Sequence, residues 1–125
     1  MTRFNRFHPR AVLAVSLSLC AVVSMVQAAT PAAIKLTAEV GPGFTITLKK
    51  GNHRVVSLKK GAYIITVRDR ASNHNFHLLG PGVNRSTSVK AAATRIWPVT
   101  LRPGTYTYLC DPHANRMKAS FQVTR

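Results

Sequence analysis

The chain has 125 residues and a formal net charge of +15, from 18 Lys and Arg against three acids. That length allows one compact domain with a modest core. Only two cysteines are present, Cys20 and Cys110; Cys20 falls in an N-terminal segment expected to be removed, which leaves Cys110 alone and excludes an intrachain disulfide framework. So basic a surface favours anionic partners (an acidic protein, anionic lipid or a cell-wall polymer), and it serves equally well as a plain solubilising surface.

In chain order, Arg3, Arg6 and Arg10 precede an apolar run without a charge, AVLAVSLSLCAVVSMV at 11–26, and Val26-Gln27-Ala28 supplies small residues before Ala29. This pattern predicts a signal peptide over residues 1–28, cut before Ala29. A retained anchor is the alternative, but the run is short of the about 20 residues a span needs, and no stop-transfer charges follow it. Leu19 is too bulky to precede a lipid-modified Cys20. The expectation is an exported protein, periplasmic or extracellular, whose domain is 29–125 and which has no stable membrane span after processing. Export argues against nucleic acid as the anionic partner. The domain keeps 15 basic and three acidic residues, a net +12, and Cys110 is its one thiol.

The rest reads as strands: IKLTAEV (34–40), FTITLKK (44–50), RVVSLKK (54–60), AYIITVRD (62–69), NFHLL (75–79), RIWPVTL (95–101), TYTYLC (105–110) and KASFQVT (118–124). They are rich in β-branched and aromatic residues. GPG at 41–43 and 80–82, KKGN, KKG and RPG punctuate them. Short, evenly spaced strands with such breakers predict an all-β, Greek-key β-sandwich. AAAT at 91–94 is too short for a helix of consequence, and whether AAATRIWPV (91–99) joins a sheet is open.

LKKGAYIITV (58–67) and LRPGTYTYLC (101–110) echo one another, with Leu, a basic residue, Gly and Tyr in step. Side chains alternate along a strand. Tyr63, Ile65 and Val67 therefore share one face, Tyr106, Tyr108 and Cys110 the equivalent one, and Cys110 stands where the first copy has a core valine. LRPGTY also has the form of a tyrosine corner, in which the Tyr106 hydroxyl bonds back to upstream backbone.

After that strand comes YLCDPHANRM (108–117). It gathers a thiol, an imidazole and a thioether in one loop, stiffened by Asp111-Pro112. Taken singly, each is more often core packing or chance. Together they are soft to borderline donors that suit copper better than calcium or magnesium, and a trigonal His2Cys site with a weak axial Met needs one more histidine. SNHNFHLLGPG (72–82) offers two, His74 and His77. Alternation puts His74 with Phe76 on one face and Asn75 with His77 on the other. His74, at the strand's beginning, suits a site at one end of a sandwich; His77 is expected at the surface, like His53, and His8 leaves with the signal. Asn75 can tie the two segments together, while Phe76, Tyr108 and Leu109 are candidates for a dry wall. GPGV (80–83) is a candidate apolar rim for docking.

The Cys-x-Pro-His-loop-Met pattern, preceded by Pro-Gly-x-Tyr-x-Tyr and an upstream His-Asn, resembles the cupredoxins, the blue (type 1) copper proteins that include plastocyanin, pseudoazurin and amicyanin. The specific motifs occupy 74–82 and 101–117. The resemblance implies one copper ion held by His74, Cys110, His113 and Met117, with Asn75 bonding across to the cysteine segment and the His113 ring edge as electron port. Three residues separate His113 from Met117, unlike the four usual in plastocyanin-like and two in amicyanin-like loops, and Arg116 sits inside the loop. The acidic patch of many plastocyanins is absent. The function implied is single-electron transfer between redox proteins, without enzyme activity, by a monomer whose partner has an acidic docking surface. Two other functions fit the same residues: copper delivery or sequestration, and a metal-free β-sandwich module gripping an anionic envelope component.

Overall fold

The computed structural model describes residues 25–125, so most of the expected signal peptide lies outside the described residues. Residues 25–33 carry no secondary structure. The strands are β1 (Ile34–Val40), β2 (Ile46–Lys50), β3 (His53–Arg54), β4 (Ser57–Lys59), β5 (Gly61–Asp69), β6 (His77–Gly80), β7 (Val83–Ser86), β8 (Ala93–Leu101), β9 (Gly104–Leu109) and β10 (Lys118–Thr124). They form two five-stranded sheets, in the orders β3-β2-β1-β5-β8 and β4-β10-β9-β6-β7. β1 runs parallel to β5 and β4 parallel to β10, whereas the other neighbours are antiparallel. The chain passes repeatedly from one sheet to the other, as in a Greek-key β-sandwich.

Period-two alternation builds the core. Leu36, Ala38 and Val40 of β1, Tyr63, Ile65 and Val67 of β5, and Phe121 and Val123 of β10 point inward and are buried. Phe76 stacks on Tyr108 with ring centroids 5.5 Å apart, and Tyr106 on Phe121 at 5.3 Å. Such large buried rings are the main apolar contribution to a domain of this size.

The echo is carried into three dimensions. Gly61 and Gly104 open β5 and β9 with φ of 151° and 142°, a backbone region that side chains resist. Two residues later each tyrosine reaches back four positions. The Tyr63 hydroxyl donates to the Lys59 carbonyl at 2.7 Å. The Tyr106 hydroxyl accepts from the Arg102 amide at 2.9 Å and donates to the Pro81 carbonyl at 2.8 Å, fastening the β6–β7 turn to β9. Cys110 occupies the expected inward position, fully buried.

The differences from the sequence reading have local causes. The strand expected at 54–60 divides because the Val55 amide bonds to Leu48 in one sheet while the Val56 carbonyl accepts from Gln122 in the other. The strand expected from Phe44 begins only at Ile46. β7 was not foreseen; its last three residues are all exposed, so it has no apolar alternation to read. The 91–99 segment joins the sheet through β8, an edge strand in which Pro98 needs no second ladder partner.

Tyr106→Phe leaves the Arg102 amide and the Pro81 carbonyl without their partner and should cost about 1–3 kcal/mol in denaturant unfolding. Tyr63→Phe removes a single bond and should cost about 1 kcal/mol or less in the same measurement.

Candidate metal centre

The registers put the ends of β1, β5 and β9 and the starts of β6, β8 and β10 at one pole of the sandwich. Two connections meet there. One crosses from β5 to β6 and carries His74; the other is the β9–β10 loop, which carries Cys110, His113 and Met117. Within that loop, a short 3-10 turn spans Asp111–His113. The His113 amide donates to the Cys110 carbonyl at 3.0 Å, and the Arg116 and Met117 amides donate to the His113 carbonyl at 2.9 and 2.8 Å. The Cys110 amide closes the loop on the Met117 carbonyl at 3.0 Å. Met117 is thus tied through backbone to both His113 and Cys110, and its side chain is fully buried.

His74, Cys110 and His113 bring one donor atom each to a common point. His74 Nδ1 and His113 Nδ1 lie 3.0 Å apart, and the Cys110 sulfur is 3.6 Å from the first and 3.5 Å from the second. Bonds of about 2.0 Å to nitrogen and 2.3 Å to sulfur would span separations of this size. Sulfur and His74 are buried while His113 is half-exposed. Among the described residues Cys110 has no disulfide partner. A thiolate with two imidazoles and no carboxylate in the group suits a soft to borderline transition metal, not a hard cation.

A model of the family described as copper binding proteins, plastocyanin/azurin family, matches residues 32–124. The chain belongs to that family. Among solved structures, reduced auracyanin from the photosynthetic bacterium Roseiflexus castenholzii is similar at 16% identity and a TM-score of 0.53, covering 76% of this chain and 100% of its own. Rusticyanin from Thiobacillus ferrooxidans is similar at 18% identity and a TM-score of 0.52, covering 76% of this chain and 79% of its own. At such identities these likenesses establish the cupredoxin fold. The cofactor is one type 1 copper ion, and His74, Cys110 and His113 are the gathered side chains that could hold it.

The crossover departs from the expected strand. β6 begins at His77, and His74, Asn75 and Phe76 are buried in succession instead of alternating. Hydrogen bonds from both sides replace the ladder. The Asn75 side chain accepts from the Asp111 amide at 2.8 Å and donates to the Asp111 carboxylate at 2.7 Å. The Asn75 amide points at the Cys110 sulfur at 3.5 Å. On the other side, Phe76 and Thr87 exchange bonds of 2.9 and 3.0 Å, and the Thr87 hydroxyl donates to the buried Asp69 carboxylate at 2.6 Å. Neither Asp69 nor Thr87 had a motif to announce it.

His77 is partly exposed, near the surface where it is expected, but it is not free. Its Nδ1 lies 2.8 Å from Asp111 and its Nε2 2.8 Å from the Asn84 side-chain oxygen, so both ring nitrogens face acceptors. Partial burial disfavours its charge, but the hydrogen bonds to Asp111 and Asn84 and the Asp111 charge outweigh it and raise the His77 pKa. For Asp111, burial is again overcome, by the bonds from Asn75 and His77 and the His77 charge, and its pKa is lowered. The GPGV turn, in turn, does not rim the site. Antiparallel pairing of β6 on β9 carries it toward Gly104, and Pro81 is fastened to Tyr106 there.

The rim is the other GPG turn. Phe44, 51% exposed, sets its ring edge-on to His113 at 5.0 Å and to His74 at 5.6 Å. The Arg116 guanidinium lies over the Phe44 ring, 4.1 Å from its centroid, a cation–π contact. Gly41 permits the approach: a Cβ there would stand 3.0 Å from Ala71 Cβ and 3.3 Å from the His74 ring. Sequence reading missed Phe44, because only the folded turn sets it beside the two histidines.

Thr87→Val leaves a buried Asp69 oxygen and the Phe76 amide without a partner, and should cost about 2–4 kcal/mol in unfolding. His77, with its raised pKa, contributes stability that is complete below its ordinary value of 6.5 and lost as pH rises through the folded value. Asp111, with its lowered pKa, contributes above its ordinary 3.8, a contribution lost as pH falls through the folded value. Denaturant unfolding of His77→Gln against the parent should therefore show the widest gap between these two ordinary values, narrowing at alkaline pH.

Proposed function

We propose that this chain is an exported carrier of single electrons between redox proteins, in which His74, Cys110, His113 and Met117 would hold the copper ion. Bound copper supplies a one-electron Cu(I)/Cu(II) couple. The chain supplies the rest. Buried Cys110 and His74 keep water from the donor atoms. The Asn75 amide, aimed at the sulfur, tunes its electron density. Phe76 and Tyr108, stacked beneath, form a dry and rigid wall. Because the ligand loop is cross-bonded at Cys110, Asp111, His113, Arg116 and Met117, little rearranges between the two charge states.

His113 is the electron port. It is the half-exposed member of the donor set, flanked by exposed Pro112, Ala114 and Phe44. Arg116 beside it favours a partner with an acidic docking surface. The observation that carries this reading is a buried thiol 3.5–3.6 Å from two imidazole nitrogens, one of which belongs to a ring that reaches solvent. Apolar start and small-residue cleavage pattern support export.

One equivalent of Cu(II) should give an intense thiolate-to-copper absorption band and a narrow copper hyperfine splitting in electron spin resonance. Cys110→Ala and His74→Ala should each abolish the band, and His77→Ala should keep it. Loss with His77→Ala and retention with His74→Ala would overturn the ligand assignment. Rapid surrender of Cu(I) to an acceptor without stable blue Cu(II) would make the protein a copper-delivery protein instead.

A further inference from the structure

All three acids of the chain lie at the metal pole, and each is engaged there. Glu39 accepts from Arg70 at 2.8 Å, Asp69 from Thr87, and Asp111 from Asn75. The opposite pole is formed by the start of β1, the ends of β2, β4, β8 and β10, and the starts of β5 and β9. It has no side-chain carboxylate. Lys35, Lys50, Lys59, Lys60, Arg102 and Arg125 stand there exposed. Between the sheets, a cleft of about 300 Å³ opens among these cations, with Ile34, Leu58 and Tyr63 as apolar floor and Lys50 and Lys59 at its edge. Ile34 is 39% exposed.

We propose that this pole is a docking surface for an anionic phospholipid bilayer, which seats the molecule with its metal site facing away from the membrane. Three observations favour lipid over an acidic protein. Four of the six cations are lysines, compact charges on long flexible stems that suit a diffuse anionic surface better than a shaped site. Ile34 lies exposed among the cations, above the buried Leu58 and Tyr63, so a headgroup layer meets both parts of its own chemistry. The chain also enters the sandwich here: Pro31 and Ala32 lie against Lys59, Lys60 and Tyr63. Pro31 and Ala32 are both exposed, so they add apolar surface among the lysines. β5, with nine residues at about 3.3 Å each, sets the poles about 30 Å apart. A bilayer on one pole leaves His113 open to a partner on the other.

The proposal does not rest on the metal reading, and the two have separate readouts. The exported chain, purified as the producing cell processes it and loaded with copper, is sedimented with phosphatidylcholine vesicles carrying about one-quarter phosphatidylglycerol. Binding should exceed that to phosphatidylcholine alone and fall away near 0.5 M salt, about where screening shortens to a few ångströms. Each cation near an anionic leaflet contributes about fivefold, so Lys50→Gln with Lys59→Gln and Lys60→Gln should weaken binding about 100-fold. Arg68→Gln with Lys90→Gln and Arg95→Gln, an equal loss of charge at the metal pole, should change it by only a few-fold. Thermal unfolding of both variants reports that the sandwich is intact. Equal losses from the two triple variants would overturn the proposal, as would equal binding to both kinds of vesicle. Absence of vesicle binding, with polyglutamate bound through the same lysines, would replace it with an acidic-protein surface.

Discussion

Asn75 and Asp111 exchange two hydrogen bonds across the gap between the β5–β6 crossover and the β9–β10 loop. Neither segment is held there by a sheet ladder. Without that pair, His74 would hang on one irregular connection and Cys110 and His113 on another. With it, the amide of Asn75 is aimed at sulfur and the three donor atoms share one point. The crossover needs a second fastening on its other side, supplied by Thr87 and the buried Asp69 carboxylate. Asn75, Thr87 and Asp69 are tolerable buried here because each finds a partner, and a satisfied network is rigid. Rigidity is the property an electron carrier requires of its ligands.

The same need governs the charges. Only three acids are present among 18 basic residues, and all three are used to brace the metal pole. Asp69 holds the crossover and Asp111 the ligand loop, while Glu39 pairs with Arg70 just beyond β5. Structural anions at one end leave the other end without a side-chain carboxylate. A surface in which the sites of bracing and of bare charge are separated by the length of a sandwich has two chemically different faces. Phe44 and Arg116 contribute to the first face by closing over the histidines. Lysines around an apolar cleft make up the second.

Much of the fold was legible in the sequence because alternation is a one-dimensional signal. β5, β8, β9 and β10 each present buried residues at every second position and were read nearly to their ends. The echo of 58–67 in 101–110 gave the inward phase of Cys110, since a shared turn and tyrosine set the same register in both strands. Where alternation was absent, the reading failed. β7 carries exposed polar residues, and 74–76 is buried three times in succession because hydrogen bonds from two different elements hold it.

By itself, the sequence determined the all-β class, the inward thiol and the chemistry of the donors, because these depend on residue type and on spacing within single segments. The tertiary structure decided how those segments meet. It brought His74 to the other donors, bound His77 to Asp111 and Asn84, and carried the GPGV turn to the far end of β9. It also set Phe44 against the histidines and Arg116 against Phe44. Most of these contacts join residues from separate segments, and no local pattern encodes the distance between two segments until the strands have paired.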